Sequence, residues 1–319
     1  MKQGGQTSFF RTVVTGDTVY FEKAWDSERY NPHSLLFQMA MENLDIPLKI
    51  NKVIANNNKE QKAIFEYINE KPWNLDISKA RLIGESMAKI HNWANTSKEV
   101  KKLNIPEKTS LYDNMDNWNT LDMGRFGDSF FDLKLSSKVL RNAIVKSLED
   151  EGIKMGVNPN QPKVATHRDF KKHNIISDGK DLHLIDFDFT ATEYVSLEIM
   201  AFLTDCIIER NEPVDKEMGG SKENRAKICI EFLLAYKRHS KLDIIWESVL
   251  YDYLSYLCSN TFPWYFNGAR LKGFNSEETS MRIPTPLKEH DIKTMGQWRT
   301  VMANYLFENR KKLTKALTI

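Results

Sequence analysis

Val164–Phe189 reads VATHRDFKKHNIISDGKDLHLIDFDF. His167, Asp169 and Asn174 stand in the pattern H-x-D-x-x-x-x-N, and two apolar residues, Leu184 and Ile185, lead into Asp186-Phe187-Asp188. This spacing suits phosphoryl transfer. A carboxylate on a tight loop, Asp169, can orient an acceptor hydroxyl and take its proton. Farther along the loop, Asn174 offers a neutral oxygen to a metal. A carboxylate at the end of the next hairpin, Asp186, completes a magnesium site on nucleotide phosphates. Hard oxygen ligands of this kind match Mg²⁺.

The residues between supply geometry. Ile175-Ile176 and Leu182-His183-Leu184-Ile185 read as two short strands, and Ser177-Asp178-Gly179-Lys180 reads as the turn joining them. Asp-Gly is a strong hairpin signal. A hairpin here returns Asp186 to the end where Asn174 sits, so both reach one ion.

On these residues the chain resembles the aminoglycoside phosphotransferase and choline kinase group, relatives of the eukaryotic protein kinases. That group carries a segment close to H-G-D-x-H-x-x-N, followed by two apolar residues and D-x-D/E. Asp169, Asn174 and Asp186 match it position for position, and Asp188 matches the second acidic residue. Arg168 stands where the group usually has Gly, and Lys171 where it often has His, so His-Arg-Asp is closer to the protein-kinase form. The resemblance implies an α+β, two-lobed protein-kinase-like fold. Its small β-rich N-lobe would span residues 1–70 and its larger, mostly helical C-lobe 71–319. It also implies ATP or GTP with Mg²⁺. The acceptor would be a small-molecule hydroxyl: an aminoglycoside-type antibiotic, choline or ethanolamine, or a sugar. Asp169 would deprotonate the acceptor while His167 braces the loop. Asn174 and Asp186 would hold the metal, with Asp188 as a second acidic ligand.

Composition narrows the class. The chain has 319 residues, enough for one large or two-lobed domain. Its 45 basic and 43 acidic residues nearly balance, which gives no support to nucleic-acid or membrane-surface binding through bulk charge. Cys206, Cys229 and Cys258 are far apart and form no C-x-x-C pair, so neither a disulfide framework nor a zinc site is expected. A reducing cytoplasm is the expected compartment. MKQGGQTSFF lacks the apolar core of a signal peptide, and no stretch reaches about 18 uninterrupted apolar residues.

The amino-terminal third carries the expected nucleotide elements. Gly4-Gly5-Gln6-Thr7-Ser8 precedes two β-rich runs, Phe9–Val14 and Thr18–Lys23, around the turn Thr15-Gly16-Asp17. Backbone amides of Gly5, Gln6, Thr7 and Ser8 can lie against phosphates, or the segment is simply the flexible start of a strand. With a strand period of two, Val19, Phe21 and Lys23 share a face. Lys23 therefore binds phosphate, as the resemblance implies, or snorkels from a strand end. Glu28 and Glu42 are its candidate glutamate partners.

Beyond it, Pro32–Leu44 reads as a helix, and Lys49–Ala55 and Lys62–Ile68 as strands. Phe65-Glu66-Tyr67-Ile68 resembles the connector between lobes, where the backbone of Glu66 and Ile68 would hold adenine. A helix begins near Asp76 or Ser78, with Ile83, Met87, Ile90 and Ala94 in register and His91 structural. Lys98–Lys108 reads as a surface loop. Helices are expected over Leu135–Glu151, Ser196–Ile208, Glu223–Arg238 and Asp243–Ser259. Thr261–Phe266 is either an aromatic wall of the acceptor site or a packed loop.

Three other readings share this pattern. A kinase-like spore coat or scaffold protein would have little catalysis. A protein kinase would fit His-Arg-Asp, but no Ala-Pro-Glu follows Asp186. A pseudokinase would follow from a missing first strand, yet Asp169, Asn174 and Asp186 are all present.

Overall fold

Alternation builds the first sheet. The computed structural model describes residues 2–4, 8–25, 31–107, 143–207, 222–255, 258, 303 and 305–318. Its first strands are β1 (Lys2–Gly4), β2 (Ser8–Thr15), β3 (Thr18–Trp25), β4 (Lys49–Ile50), β5 (Val53–Asn57) and β6 (Lys62–Glu66). All but β4 join one antiparallel sheet in the order β1-β2-β3-β6-β5. Gly16, in the two-residue turn between β2 and β3, has φ +61°, a conformation glycine adopts without steric cost. Trp25 from β3 packs with Leu35, Val53, Ala63 and Phe65, and Phe21 packs against that cluster. Burying a large apolar side chain contributes about 1.5–3 kcal/mol, so this cluster holds the sheet to the helix behind it.

That helix, α1 (Pro32–Met41), is capped by Asn31, whose side chain accepts from the His33 amide. It ends at Met41, three residues before the expected Leu44. Glu42 follows as the C-cap, still with helical backbone angles, and its carboxylate accepts from the Val53 amide at 2.8 Å. The expected strand Lys49–Ala55 also divides. β4 pairs in parallel with β9 (Leu182–Leu184), whereas β5 joins the five-stranded sheet. Asn51 lies at the division, with its amide on the Leu184 carbonyl.

Helix α2 (Ile77–Thr96) starts at Asp76, which accepts from the Lys79 amide at 2.9 Å. Ile83, Met87, Ile90 and Ala94 are buried, as their spacing predicts. The expected loop after it is instead a short helix, α3 (Lys98–Lys102). Ser97 caps it by accepting from the amides of Glu99 and Val100. Glu99 in its first turn and Lys101 and Lys102 in its last suit the helix dipole.

The central stretch folds as β7 (Lys163–Thr166), a 3₁₀ turn (Lys172–Asn174), β8 (Ile175–Ser177), β9 and β10 (Ala191–Tyr194). β8 and β9 form the expected hairpin, with Ile175 opposite Leu184. Asp178 closes its turn by accepting from the amides of Lys180 and Asp181. β10 pairs antiparallel with β7. Helices α4 (Val195–Ile207) and α5 (Lys222–His239) follow. Among the described residues no helix is long and apolar enough to cross a membrane.

Two compact units result. The first comprises Met1–Glu107 and Pro162–Ile244 and holds every element labelled so far; the second comprises Lys108–Gln161 and Ile245–Ile319. In the second, residues 143–150 and 246–255 are helical, and Ile144 and Leu148 are buried as expected. Gln161 joins its segments there, donating to the Ile245 carbonyl and the Asp252 carboxylate. Leu140 and Thr261–Phe266 lie outside the described residues.

In the first unit α2 and α5 touch backbone to side-chain-less backbone at Gly84. A Cβ there would stand 2.3 Å from the Phe232 carbonyl oxygen. Gly84→Ala should therefore force the helices apart and destabilise the fold by about 1–3 kcal/mol, the usual range for overpacking. Urea denaturation of wild type and variant measures this.

Candidate active site

β7 delivers the chain into the loop that carries Asp169. Arg168 there has φ +66°, a left-handed conformation that costs a non-glycine residue about 1 kcal/mol or more. Glycine would adopt it freely. Two contacts hold Arg168 in place. Its amide donates to Glu198 Oε1 from α4, and its guanidinium lies 3.6 Å from Glu193 of β10. Glu198 is itself fixed by His91 of α2, whose Nε2 lies 2.7 Å from Oε2, and His91 Nδ1 meets the Tyr236 hydroxyl of α5 at 2.8 Å. Burial pushes that hydroxyl far above the ordinary tyrosine range, so it stays protonated. Burial likewise raises the Glu193 carboxyl.

His167 is buried, and backbone groups engage both of its ring nitrogens. Nε2 donates to the Ile185 carbonyl at 2.8 Å, and Nδ1 accepts from the Asp169 amide at 3.2 Å. Its ring packs on Phe187, with centroids 4.5 Å apart. The side chain thus ties the loop to the end of the hairpin. Asp169 accepts from the Asn174 amide nitrogen at 2.8 Å and pairs with Lys171 Nζ at 2.5 Å. Burial works to raise the Asp169 carboxyl, but Lys171 and the Asn174 hydrogen bond outweigh it and hold it below the usual range. Asp169 is therefore an ionised acceptor at neutral pH. Asn174 also donates to the Asp169 carbonyl, which leaves the side-chain oxygen of Asn174 as its remaining ligand atom.

The hairpin closes as its spacing predicts, with the Ile185 amide on the Asn174 carbonyl at 2.9 Å. Asp186 follows in a left-handed conformation, φ +63°. Lys23 meets both acids of the Asp-Phe-Asp triplet: its Nζ lies 2.8 Å from Asp186 Oδ1 and 2.8 Å from Asp188 Oδ2. Burial draws the Lys23 ammonium down, and the two carboxylates more than offset this, so its pKa stands above the ordinary lysine value. Burial also lifts the Asp188 carboxyl, with Asp186 adding to the rise and Lys23 opposing it. Trp25 Nε1 donates to Asp188 Oδ1 at 2.9 Å, a contact the sequence reading missed. The strand period that put Phe21 and Lys23 on one face extends to Trp25.

Above these groups opens a cavity of about 370 Å³, within the range of small-molecule sites. Phe10, Phe21, Trp25 and Ile185 supply apolar surface, and Lys23, Asp186 and Asp188 supply charge. Glu66 and Ile68 line it, as the connector reading expects. Gly5, Gln6 and Thr7 lie outside the described residues, and Ser8 is placed by its backbone pairing with Gly4 and Trp25. Of the two expected glutamates only Glu42 lies among the described residues, and it is not the partner of Lys23. Glu42 is committed to the Val53 amide, and Glu28 lies outside the described residues.

Among the described residues no three His, Cys, Asp or Glu side chains cluster as a metal site. A magnesium ion does not require such a cage, because it binds through one or two protein oxygens together with substrate phosphates. Asp186 and Asn174, at the mouth of one hairpin, are hard oxygen donors of that kind.

A family model described as choline/ethanolamine kinase matches residues 61–283, which include Asp169, Asn174, Asp186 and Asp188 and begin beyond Lys23. No curated protein matches the chain by sequence. Solved structures similar to it include a spectinomycin phosphotransferase in complex with ADP and spectinomycin, at TM-score 0.59 and 13% identity, covering 97% of this chain and 92% of that one. Choline kinase from Streptococcus pneumoniae is similar at TM-score 0.55 and 14% identity, covering 96% and 92%. Ethanolamine kinase from Plasmodium vivax is similar at TM-score 0.53 and 15% identity, covering 96% and 83%. At these identities the likeness establishes the protein-kinase-like fold of small-molecule kinases.

The buried carboxylate of Glu198 receives two donors at once. Glu198→Leu keeps much of the bulk but removes both accepting oxygens, so His91 Nε2 and the Arg168 amide lose their partner. A stability loss of about 1–3 kcal/mol is expected. Turnover should fall further than nucleotide affinity, because Arg168 precedes Asp169. Urea denaturation beside ADP titration and a product assay checks both.

Proposed function

The chain belongs to the choline/ethanolamine kinase family, a phosphotransferase with an alcohol group as acceptor, and we propose that it moves the γ-phosphoryl group of ATP to the hydroxyl of a small amino alcohol such as choline or ethanolamine. The observation that carries this reading is the joining of the Asp169 loop to the hairpin end. Asn174 donates to Asp169, and the residue before Asp186 donates to the Asn174 carbonyl. Base and metal ligands thereby share one frame.

The roles follow from position. The acceptor oxygen attacks the γ-phosphorus while its proton passes to the Asp169 carboxylate, and the bond to the β-phosphate oxygen breaks to release ADP. Lys171, on the same carboxylate, keeps Asp169 ionised before the transfer. Lys23 faces the α- and β-phosphates. The backbone at Glu66 and Ile68 receives the base, and Gly5, Gln6, Thr7 and Ser8 cover the phosphates. Mg²⁺ held by Asn174 and Asp186 would neutralise charge gathering on the phosphates. Residues 1–70 then act as the N-lobe and 71–319 as the C-lobe. Three free, buried cysteines suit a reducing compartment, and we place the enzyme in the cytoplasm.

An aminoglycoside-type acceptor is the second reading, favoured by the likeness to the spectinomycin phosphotransferase. Coupled ADP release with choline, ethanolamine, spectinomycin and a panel of sugars decides between them. Turnover with choline or ethanolamine alone supports the first reading, and turnover with spectinomycin alone supports the second. Asp169→Asn should lower transfer to the true acceptor by about 10²–10⁴-fold, the range of general-base contributions, and leave ADP affinity near wild type. Equal turnover in the two proteins would remove Asp169 from the mechanism.

A further inference from the structure

Lys23 is buried on the inner face of β3, and a buried ammonium needs a counter-charge. Helix α1 does not provide one: its buried residues are Ser34, Leu35, Phe37, Gln38 and Met41. Glu42, just past its end, is held by the Val53 amide. Both carboxylates on Lys23 come from the Asp-Phe-Asp triplet, and the two are not alike. The Asp186 side chain is 40% exposed and gives Oδ1 to Lys23. The Asp188 side chain is 8% exposed with both oxygens engaged, Oδ2 by Lys23 and Oδ1 by the Trp25 indole.

We infer that Asp188 is the fixed partner of Lys23, steered by the Trp25 indole, and that Asp186 rather than Asp188 serves the metal. This rests on the kinase reading above. One strand carries both the cation and the donor that orients its counter-ion, because Lys23 and Trp25 are two residues apart and share a face. The Trp25 ring also lies beneath the ammonium, 5.2 Å from Nζ to its centroid. For Asp188 to ligate a metal, the ion would have to reach an 8% exposed carboxylate and share oxygens that already accept from Lys23 and the indole. Asp186 needs to yield only its bond to Lys23. The placement of Lys23 is therefore set by the hairpin that carries the metal ligand, independently of any charge on α1.

Metal-free protein separates the two roles. Removing a partner from a buried ion pair destabilises a fold strongly, whereas replacing the 40% exposed Asp186 gives up only a solvent-screened contact with Lys23 and relieves its repulsion of Asp188. In EDTA, Asp188→Asn should lower the melting temperature by about 5 °C or more. Trp25→Phe should lower it by less, and Asp186→Asn should leave it unchanged or raise it. The double variant Lys23→Met with Asp188→Asn should lose less than the sum of the singles. Mn²⁺ titration in the presence of ADP should then show an affinity more than about tenfold weaker for Asp186→Asn and near wild type for Trp25→Phe and Asp188→Asn. Additive melting shifts overturn the pairing, as does an Asp188→Asn protein as stable as wild type. Mn²⁺ affinity lost equally in Asp188→Asn and Asp186→Asn overturns the division of roles. Should Asp188→Asn fail to fold, Trp25→Phe carries the metal comparison: a loss equal to that of Asp186→Asn overturns it too. Wild type that binds no ADP sinks the kinase reading and the metal assignment together, while the melting cycle judges the ion pair alone.

Discussion

A single buried ammonium joins the first sheet to the Asp-Phe-Asp triplet that follows the β8–β9 hairpin. Lys23 sits at the inner face of β3, and its two carboxylate contacts, Asp186 and Asp188, lie 163 and 165 residues on along the chain, beyond β9. Pairs of this kind gain little over an apolar core and cost much when broken. Their value is placement. With Lys23 fixed, Trp25 falls on Asp188, Phe65 falls on Trp25, and the wall of the cavity follows. Charge is concentrated where nucleotide phosphates would stand, and the remaining wall is aromatic and aliphatic.

The second constraint is backbone strain held by polar contacts. Arg168 and Asp186 both adopt left-handed conformations, and they bracket the stretch that carries Asp169 and Asn174. Such positions persist only when the surroundings over-determine them. Around Arg168 the surroundings are Glu198, His91 and Tyr236, drawn from three helices and satisfied in series. Around Asp186 they are Lys23 and the His167 bond to Ile185. The close approach of α2 and α5 at Gly84 belongs to the same design, since His91 and Tyr236 must meet across that interface.

Local signals announced much of this. The Asp178-Gly179 turn, the apolar period along α2 and the spacing from Asp169 through Asn174 to Asp186 are properties of neighbouring residues, and hairpin and helix geometry translate them directly. They carried the α+β class, the hairpin and the return of Ile185 to the Asn174 carbonyl at its end. Where the reading failed, a short-range cue was overruled or overlooked. Ser97 with Glu99 announced α3, but the polar composition of that stretch concealed it. The end of α1 and the division at Asn51 coincide with hydrogen bonds to residues outside their own elements, Glu42 with Val53 and Asn51 with Leu184.

The remaining assignments belong to tertiary structure. Which carboxylates neutralise Lys23, what fixes Arg168 in a glycine-like conformation, and that Trp25 orients Asp188 are contacts between residues 25 to 165 positions apart in sequence. A sequence carries residue identity and spacing, so it determines which side chains can share a strand face or a hairpin end. It contains no distances across the fold. Burial, which makes a counter-ion obligatory for Lys23 and distinguishes Asp188 from Asp186, exists only once the sheet, α1 and the hairpin have closed around them.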